Sequence, residues 1–151
     1  MPTQPGGRVD PLVSVSFYVD VQGVFTGTFR SCTGLGSQSE IVEHLAAGKG
    51  GTTHIYKIPG VCKWTNICLK RGVTDSMDVW TWRKQVEEGN VNEARKNGSI
   101  IMYDQTNTEV ARWNFENGWP AKISGPNLDA STNDIAIEEL EIAHEKLVRE
   151  K

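Results

Sequence analysis

The sequence predicts a mainly β domain with one α-helix. Apolar and polar residues alternate at a period of two in several stretches, glycine and proline punctuate the chain at short intervals, and one segment has helical spacing between clear end signals. At 151 residues the chain fits a single domain, 1–151, in which about two-thirds of the unfolded surface can be buried.

The opening stretch Met1–Pro11 holds three prolines and two glycines and reads as a flexible N-terminal arm, ordered only if a neighbour holds it. Val13, Val15, Phe17, Val19 and Val21 then alternate with Ser14, Ser16, Tyr18, Asp20 and Gln22, the pattern of a half-buried strand. Val24–Cys32 is a second strand, bent at Gly27. Gly34 and Gly36 mark a turn, and Glu40–Leu45 is a third, short strand. Ala46–Thr53 is small and glycine-rich between strand-like flanks, which predicts a mobile loop at the tip of an extended hairpin. His54–Ile58 returns as a strand, Pro59-Gly60 turns the chain, and Trp64–Arg71 follows as another strand.

The helix comes next. Asp75 or Ser76 can cap it, Asp78 sits in the first turn where the helix dipole favours a carboxylate, and Gly89 ends it. At 100° per residue Val79, Trp82 and Val86 share one face. Met77 and Trp80 fall on another, free to cover a different part of the subunit or to meet a neighbour. Val91–Lys96 reads as irregular, and Ser99–Tyr103 as a strand. Asp104–Thr108 is a turn that lacks the glycine and the terminal glutamate of a calcium loop. Glu109–Glu116 pairs back on Ser99–Tyr103, with Ala111, Trp113 and Phe115 on its buried face. Trp119-Pro120 predicts a corner, Gly125-Pro126-Asn127 a break, and Asp129–Asp134 a turn-rich run into Ile135–Leu147. That last segment is open: Ile137, Leu140, His144 and Leu147 recur at helical spacing, whereas Ala136, Glu138, Leu140 and Ile142 line a strand face. Local propensity leans to helix.

Composition excludes several functions. A net charge of -3 argues against a nucleic-acid-binding surface, and the basic pairs Lys70-Arg71 and Arg95-Lys96 read as solvated strand or loop ends. No apolar run reaches the roughly 18 residues of a membrane span, and the N-terminus lacks a signal-peptide pattern. The expectation is cytoplasmic assembly without membrane insertion by the chain itself. Cys32, Cys62 and Cys68 have no C-x-x-C spacing and read as buried free thiols. His44, His54 and His144 are unaccompanied by a nucleophile elbow, a zinc-protease helix, a phosphate loop or a dinucleotide fingerprint. The sequence therefore predicts no enzyme and no catalytic, cofactor-binding or metal site. Five tryptophans leave a carbohydrate-binding β-module as a rival, which the placement of Trp113 and Trp82 on apolar faces counts against.

An ordered set of motifs carries a family resemblance. It runs through Thr33-Gly34-Leu35, Val42-Glu43 and Ile58-Pro59-Gly60, then Asn66–Thr74 and Trp80-Thr81-Trp82. It closes with Arg112–Phe115, Trp119–Lys122, Gly125-Pro126 and Ile137–Glu141. From about Pro11 to His144 the chain resembles the tail tube proteins of contractile-tailed phages and phage-like contractile injection systems. The resemblance implies an antiparallel β-barrel or sandwich with one helix, whose strands join neighbours in a ring, and it makes the last segment a strand. It also implies hexameric rings stacked into a tube within a virion or injection particle. The implied partners are copies of the same chain, sheath subunits, baseplate and tube-initiator proteins, and DNA or protein cargo in a central lumen. The alternative within this class is the tube protein of type VI secretion. Gly48, Lys49, Gly50 and Gly51 at the loop, with Met77 and Trp80 on the helix, are the candidate interface residues.

Overall fold

The computed structural model describes residues 16–73, 76–131 and 135–151. The expected arm at 1–11, the start of the first strand and the Asp75 cap lie outside them. The first hairpin is β1 (Ser16–Val21) and β2 (Phe25–Thr28), with Val19 and Val21 buried as their alternation requires. The second strand does not run to Cys32. It breaks at Phe29-Arg30, where the Phe29 ring turns into the core beside Phe25 at 5.5 Å and the Arg30 amide donates to the Lys70 carbonyl. The chain then re-enters as β3 (Ser31–Thr33), paired not with β1 but with β6 (Ile67–Gly72).

Between them stands β4 (Ser37–Ala47) with β5 (Thr53–Trp64), a two-stranded ribbon much longer than the short strands expected. Pro59-Gly60 does not turn the chain. It lies within β5, opposite a ladder irregularity between Ser39 and Ile41, a position where a strand tolerates proline. A side chain at Gly60 would sit 3.2 Å from the Glu40 carbonyl. The real break is Thr65-Asn66, just before β6. Gly34 meets it: its φ is +90°, and the Asn66 carbonyl occupies the space a Cβ would need.

Helix α1 spans Asp78–Glu87. Ser76 does not cap it; the N-cap is Met77, and Asp78 accepts the Val79 amide at 2.7 Å with its own carboxylate. Gly89, at φ +87°, ends the helix as predicted. The segment expected to be irregular holds a single turn, α2 (Val91–Ala94), because the Ala94 carbonyl accepts the Trp82 indole N–H at 2.6 Å. β7 (Lys96–Tyr103) and β8 (Glu109–Ser124) follow, joined at Asp104, whose carboxylate accepts the Thr106 and Thr108 amides.

β8 passes straight through the expected Trp119-Pro120 corner. The proline holds Trp119 extended, which suits a strand as well as a corner, and a bulge between Pro120 and Lys122 absorbs the irregularity. The closing segment is β9 (Ile137–Ala143) and β10 (Lys146–Arg149), so strand pairing wins over helix propensity. β9 pairs with the C-terminal half of β8, and β10 with Trp113–Glu116. The main sheet runs β2-β1-β7-β8-β9-β6-β3, and its end strands β2 and β3 are joined through Phe29-Arg30 rather than by a ladder. Val19, Phe25, Leu69, Ile100, Phe115, Leu140 and Ile142 from its inner faces share one core with Val79 and Trp82 of α1.

Candidate functional site

Two surfaces stand outside this core. The first is the ribbon β4–β5, whose strands form their own sheet. Apart from Ala46 and Trp64, which are half-buried, its strand residues are exposed. Leu45 and Ile55, paired across the ribbon, are 66% and 58% exposed, and Ile41, Val42, Tyr56, Ile58 and Val61 are open as well. Antiparallel partners share a face. One face therefore carries Ile41 opposite Pro59 and Leu45 opposite Ile55, the other Val42 opposite Ile58 and His44 opposite Tyr56.

At its tip the predicted interface residues Gly48, Lys49, Gly50 and Gly51 do come together. The tip is narrower than the expected Ala46–Thr53 loop, because Ala46, Ala47 and Thr53 belong to the strands. Lys49–Gly51 form a 3-10 turn with Gly50 and Gly51 at positive φ, closed by Gly48 N–H to the Thr52 carbonyl at 2.6 Å and Thr52 Oγ1 to the Lys49 carbonyl at 3.0 Å. Small residues are needed for this reversal, and Lys49 at its start is exposed.

The second surface lies at the N-terminus of α1. Met77 is 66% exposed and Trp80 37%, as their separation from the Val79–Trp82 face predicts. Val73, Leu128 and Ile135 are exposed large apolar residues of the segments before α1 and between β8 and β9. The Val73 amide bonds to the Ala136 carbonyl, and the Trp80 ring covers Gly125. Met77 and Trp80 thus belong to a different surface element from the tip glycines, and no ladder joins the ribbon to it.

Beneath the second surface sits a charged network that sequence reasoning missed. Arg71, expected to be solvated, points inward in phase with Ile67 and Leu69. Its Nε donates to Glu138 Oε1 at 2.5 Å and its Nη2 to Asp78 Oδ1 at 2.9 Å, while the guanidinium lies over the Phe29 ring at 5.6 Å. Glu138, only 4% exposed, also accepts the Trp80 indole N–H at 2.9 Å. Burial alone would pull the Arg71 pKa down, but hydrogen bonds to Glu138 and Asp78 outweigh it and raise it. For Asp78, burial pushes upward and the bonds from Arg71 and the Val79 amide bring the carboxyl below its usual range. The available signal was phase: Arg71 and Glu138 occupy core positions of their strands, where a charge requires a partner.

The cysteines divide. Cys32 is half-buried, its thiol pushed up to about 12 by burial and by neighbouring Cys68, whereas Cys62 on the ribbon is exposed, against the expectation of three buried thiols. Of the five tryptophans, Trp80 alone is exposed, so the fold offers no row of stacking platforms for a sugar. Among the described residues no group of three or more His, Cys, Asp or Glu could hold a metal ion, and no helix is long and apolar enough to cross a membrane.

Comparison with known proteins places this architecture. The sequence profile of the T4-like virus tail tube protein gp19 family matches residues 13–148. Among solved structures, the chain is similar to one in the PVC sheath–tube complex of an extracellular contractile injection system in its extended state. That match has 26% identity over 93% of this chain and 91% of that one, with a TM-score of 0.76. A chain of the six-fold symmetrised anti-feeding prophage baseplate matches at 20% identity over 94% and 97%, TM-score 0.78. Hcp1 from Flavobacterium johnsoniae shares the fold at 16% identity over 89% and 94%, TM-score 0.58. No curated protein matches.

Proposed function

The chain belongs to the T4-like virus tail tube protein gp19 family, and from that membership we propose that it is the inner tube subunit of a contractile tail or phage-like injection system, joining copies of itself into hexameric rings that stack into a tube. A tail tube protein of a contractile injection system works beside sheath and baseplate, the assemblies in which its structural relatives occur. Its role is structural, as expected of that family. The finer reading is that six copies close each ring, that a tube initiator at the baseplate nucleates the stack, and that assembly takes place in the cytoplasm before DNA or protein cargo passes through the lumen. The chain acts as one tube domain, and Gly48–Gly51, Met77 and Trp80 contribute to contacts between copies.

The observation that carries this is the ribbon β4–β5. An isolated two-stranded ribbon is marginal in water, and this one keeps seven large apolar side chains exposed. A surface of that kind is stabilised by a neighbour that covers it. When the neighbour is an identical chain and the two contacting surfaces differ, the contact is heterologous: it closes rings if the rotation closes and otherwise propagates as a filament. Each contact can be modest, because many repeat along the tube.

Negative-stain electron microscopy of the purified protein, alone and with its baseplate initiator, tests the proposal. Six-fold rings or tubes are the expected result. A monomer at every concentration, with and without the initiator, overturns it.

A further inference from the structure

We propose that Asn117-Gly118 is a self-modification site of this chain: the Gly118 nitrogen closes on the Asn117 side-chain amide, and β8 is converted there to aspartate and isoaspartate. This goes beyond the tube-subunit reading and does not depend on it.

The chain holds two Asn-Gly steps, Asn97-Gly98 and Asn117-Gly118. Packing demands both glycines. A Cβ at Gly98 would run into the Phe115 ring, and one at Gly118 would meet that ring at 2.5 Å and the Ile142 side chain at 3.1 Å. The backbone before Gly118 is left-handed, with Asn117 at φ +52°, a region that asparagine enters more readily than most side chains. The fold therefore selects the dipeptide whose amide is least shielded from its own side chain, and asparagine is a thermolabile residue.

The two steps differ in restraint. Gly98 lies in β7 between two neighbours, opposite Val21 of β1 and Phe115 of β8. Asn117 has no partner in any of the three ladders of β8. Pairing with β10 stops at Glu116, pairing with β9 starts at Trp119, and the β7 register passes from Phe115 to Gly118. The residue is exposed; its amide donates to Asn97 Oδ1 at 3.1 Å and its Nδ2 to Glu145 Oε2 at 2.8 Å. A peptide outside the ladders opens without breaking the sheet.

In the reaction the Gly118 nitrogen attacks Asn117 Cγ and a C–N bond forms. The side-chain nitrogen leaves as ammonia, carrying the proton that Gly118 gives up, and a cyclic imide remains. Water then opens the imide: cleavage at Cγ gives aspartate, and cleavage at the backbone carbonyl gives isoaspartate. No oxidant or reductant enters. Either product sets a carboxylate where Nδ2 had donated to Glu145, so two like charges meet just ahead of β10. Isoaspartate also lengthens the backbone of β8 by a methylene, at the point where that strand passes from β10 to β9.

The test ages purified protein at mildly alkaline pH beside a sample unfolded in urea, and counts deamidated peptides by mass spectrometry and isoaspartate by carboxyl-methyltransferase labelling. In urea the two steps react at rates within about twofold of each other, whereas in the folded protein Asn117 outpaces Asn97 at least about fivefold, because only Asn97-Gly98 is protected by its ladders. Equal rates in the folded protein, or a faster Asn97, overturn the assignment. Asn117→Gly keeps the left-handed backbone and removes the amide, so isoaspartate labelling falls to the level set by Asn97; undiminished labelling also overturns it. Asn117→Asp carries the new charge without the longer backbone and is expected to melt below wild type, and an unchanged midpoint overturns the consequence drawn for Glu145.

Discussion

Arg71 and Glu138 face each other across the β6–β9 ladder and are bonded to each other on the inner side of the sheet, where a hydrophobic pair would ordinarily sit. The pair fastens two strands to α1, because Arg71 also holds Asp78 and Glu138 also holds Trp80. Removing one member strands the other. Glu138→Ala is expected to cost about 3–5 kcal/mol, the usual range for breaking a buried ion pair. Urea denaturation of the monomer measures it, and a loss below about 1 kcal/mol would show that Asp78 alone satisfies Arg71.

Asp78 gives the fold an acid-sensitive link. Its folded pKa lies below the ordinary 3.8, so the unfolded chain binds the proton more readily than the folded one. The stabilisation is complete above that value and is lost as pH falls through the folded pKa. Wild type is therefore expected to lose stability more steeply than Asp78→Asn below about pH 4. Parallel melting curves between neutral and acid pH check the difference, which separates Asp78 from Asp104 and Asp129, whose carboxyls are also depressed.

Trp82 combines volume with a polar anchor. It is 2% exposed and donates to the Ala94 carbonyl. Trp82→Ala should cost about 3–5 kcal/mol. Trp82→Phe keeps most of the ring and should lose about 1–3 kcal/mol through the unpaired carbonyl. Equal losses in the two variants would assign the whole effect to the hydrogen bond.

The three thiols should react in an order set by exposure. Cys62 is open, Cys68 is half-buried with its pKa raised by burial and nearby Glu141, and Cys32 is pushed to about 12. The thiolate is the reacting form. Alkylation at pH 8 followed by peptide mass spectrometry is expected to modify Cys62 first and Cys32 last. Early modification of Cys32 would mean that β3 opens readily.

Much of this arrangement was legible in the residues. Period-two alternation placed β1 and the first half of β8, and helical spacing separated Val79 and Trp82 from Met77 and Trp80. Proline and glycine misled where they were read as breaks. Pro59-Gly60 and Trp119-Pro120 lie inside long strands, because bulges let a ladder continue past a missing donor. The break at Phe29-Arg30 has no turn residue; long-range pairing of β3 with β6 creates it, and no local signal carries that information. Arg71 and Glu138 were hidden for the same reason. Each resembles a solvated charge until the strands are aligned, and only the ladder reveals that they meet.

Pro59 has a consequence for quality control. Long, flat strand borders invite unwanted growth into cross-β aggregates, since each free amide and carbonyl can template another chain. Midway along the ribbon, at the Ile41–Pro59 pair, that template is interrupted by a residue with no amide hydrogen and by an offset in register. A stray polypeptide that began to zip onto the border would stall there. The interruption falls on β5 alone, since β4 carries no proline.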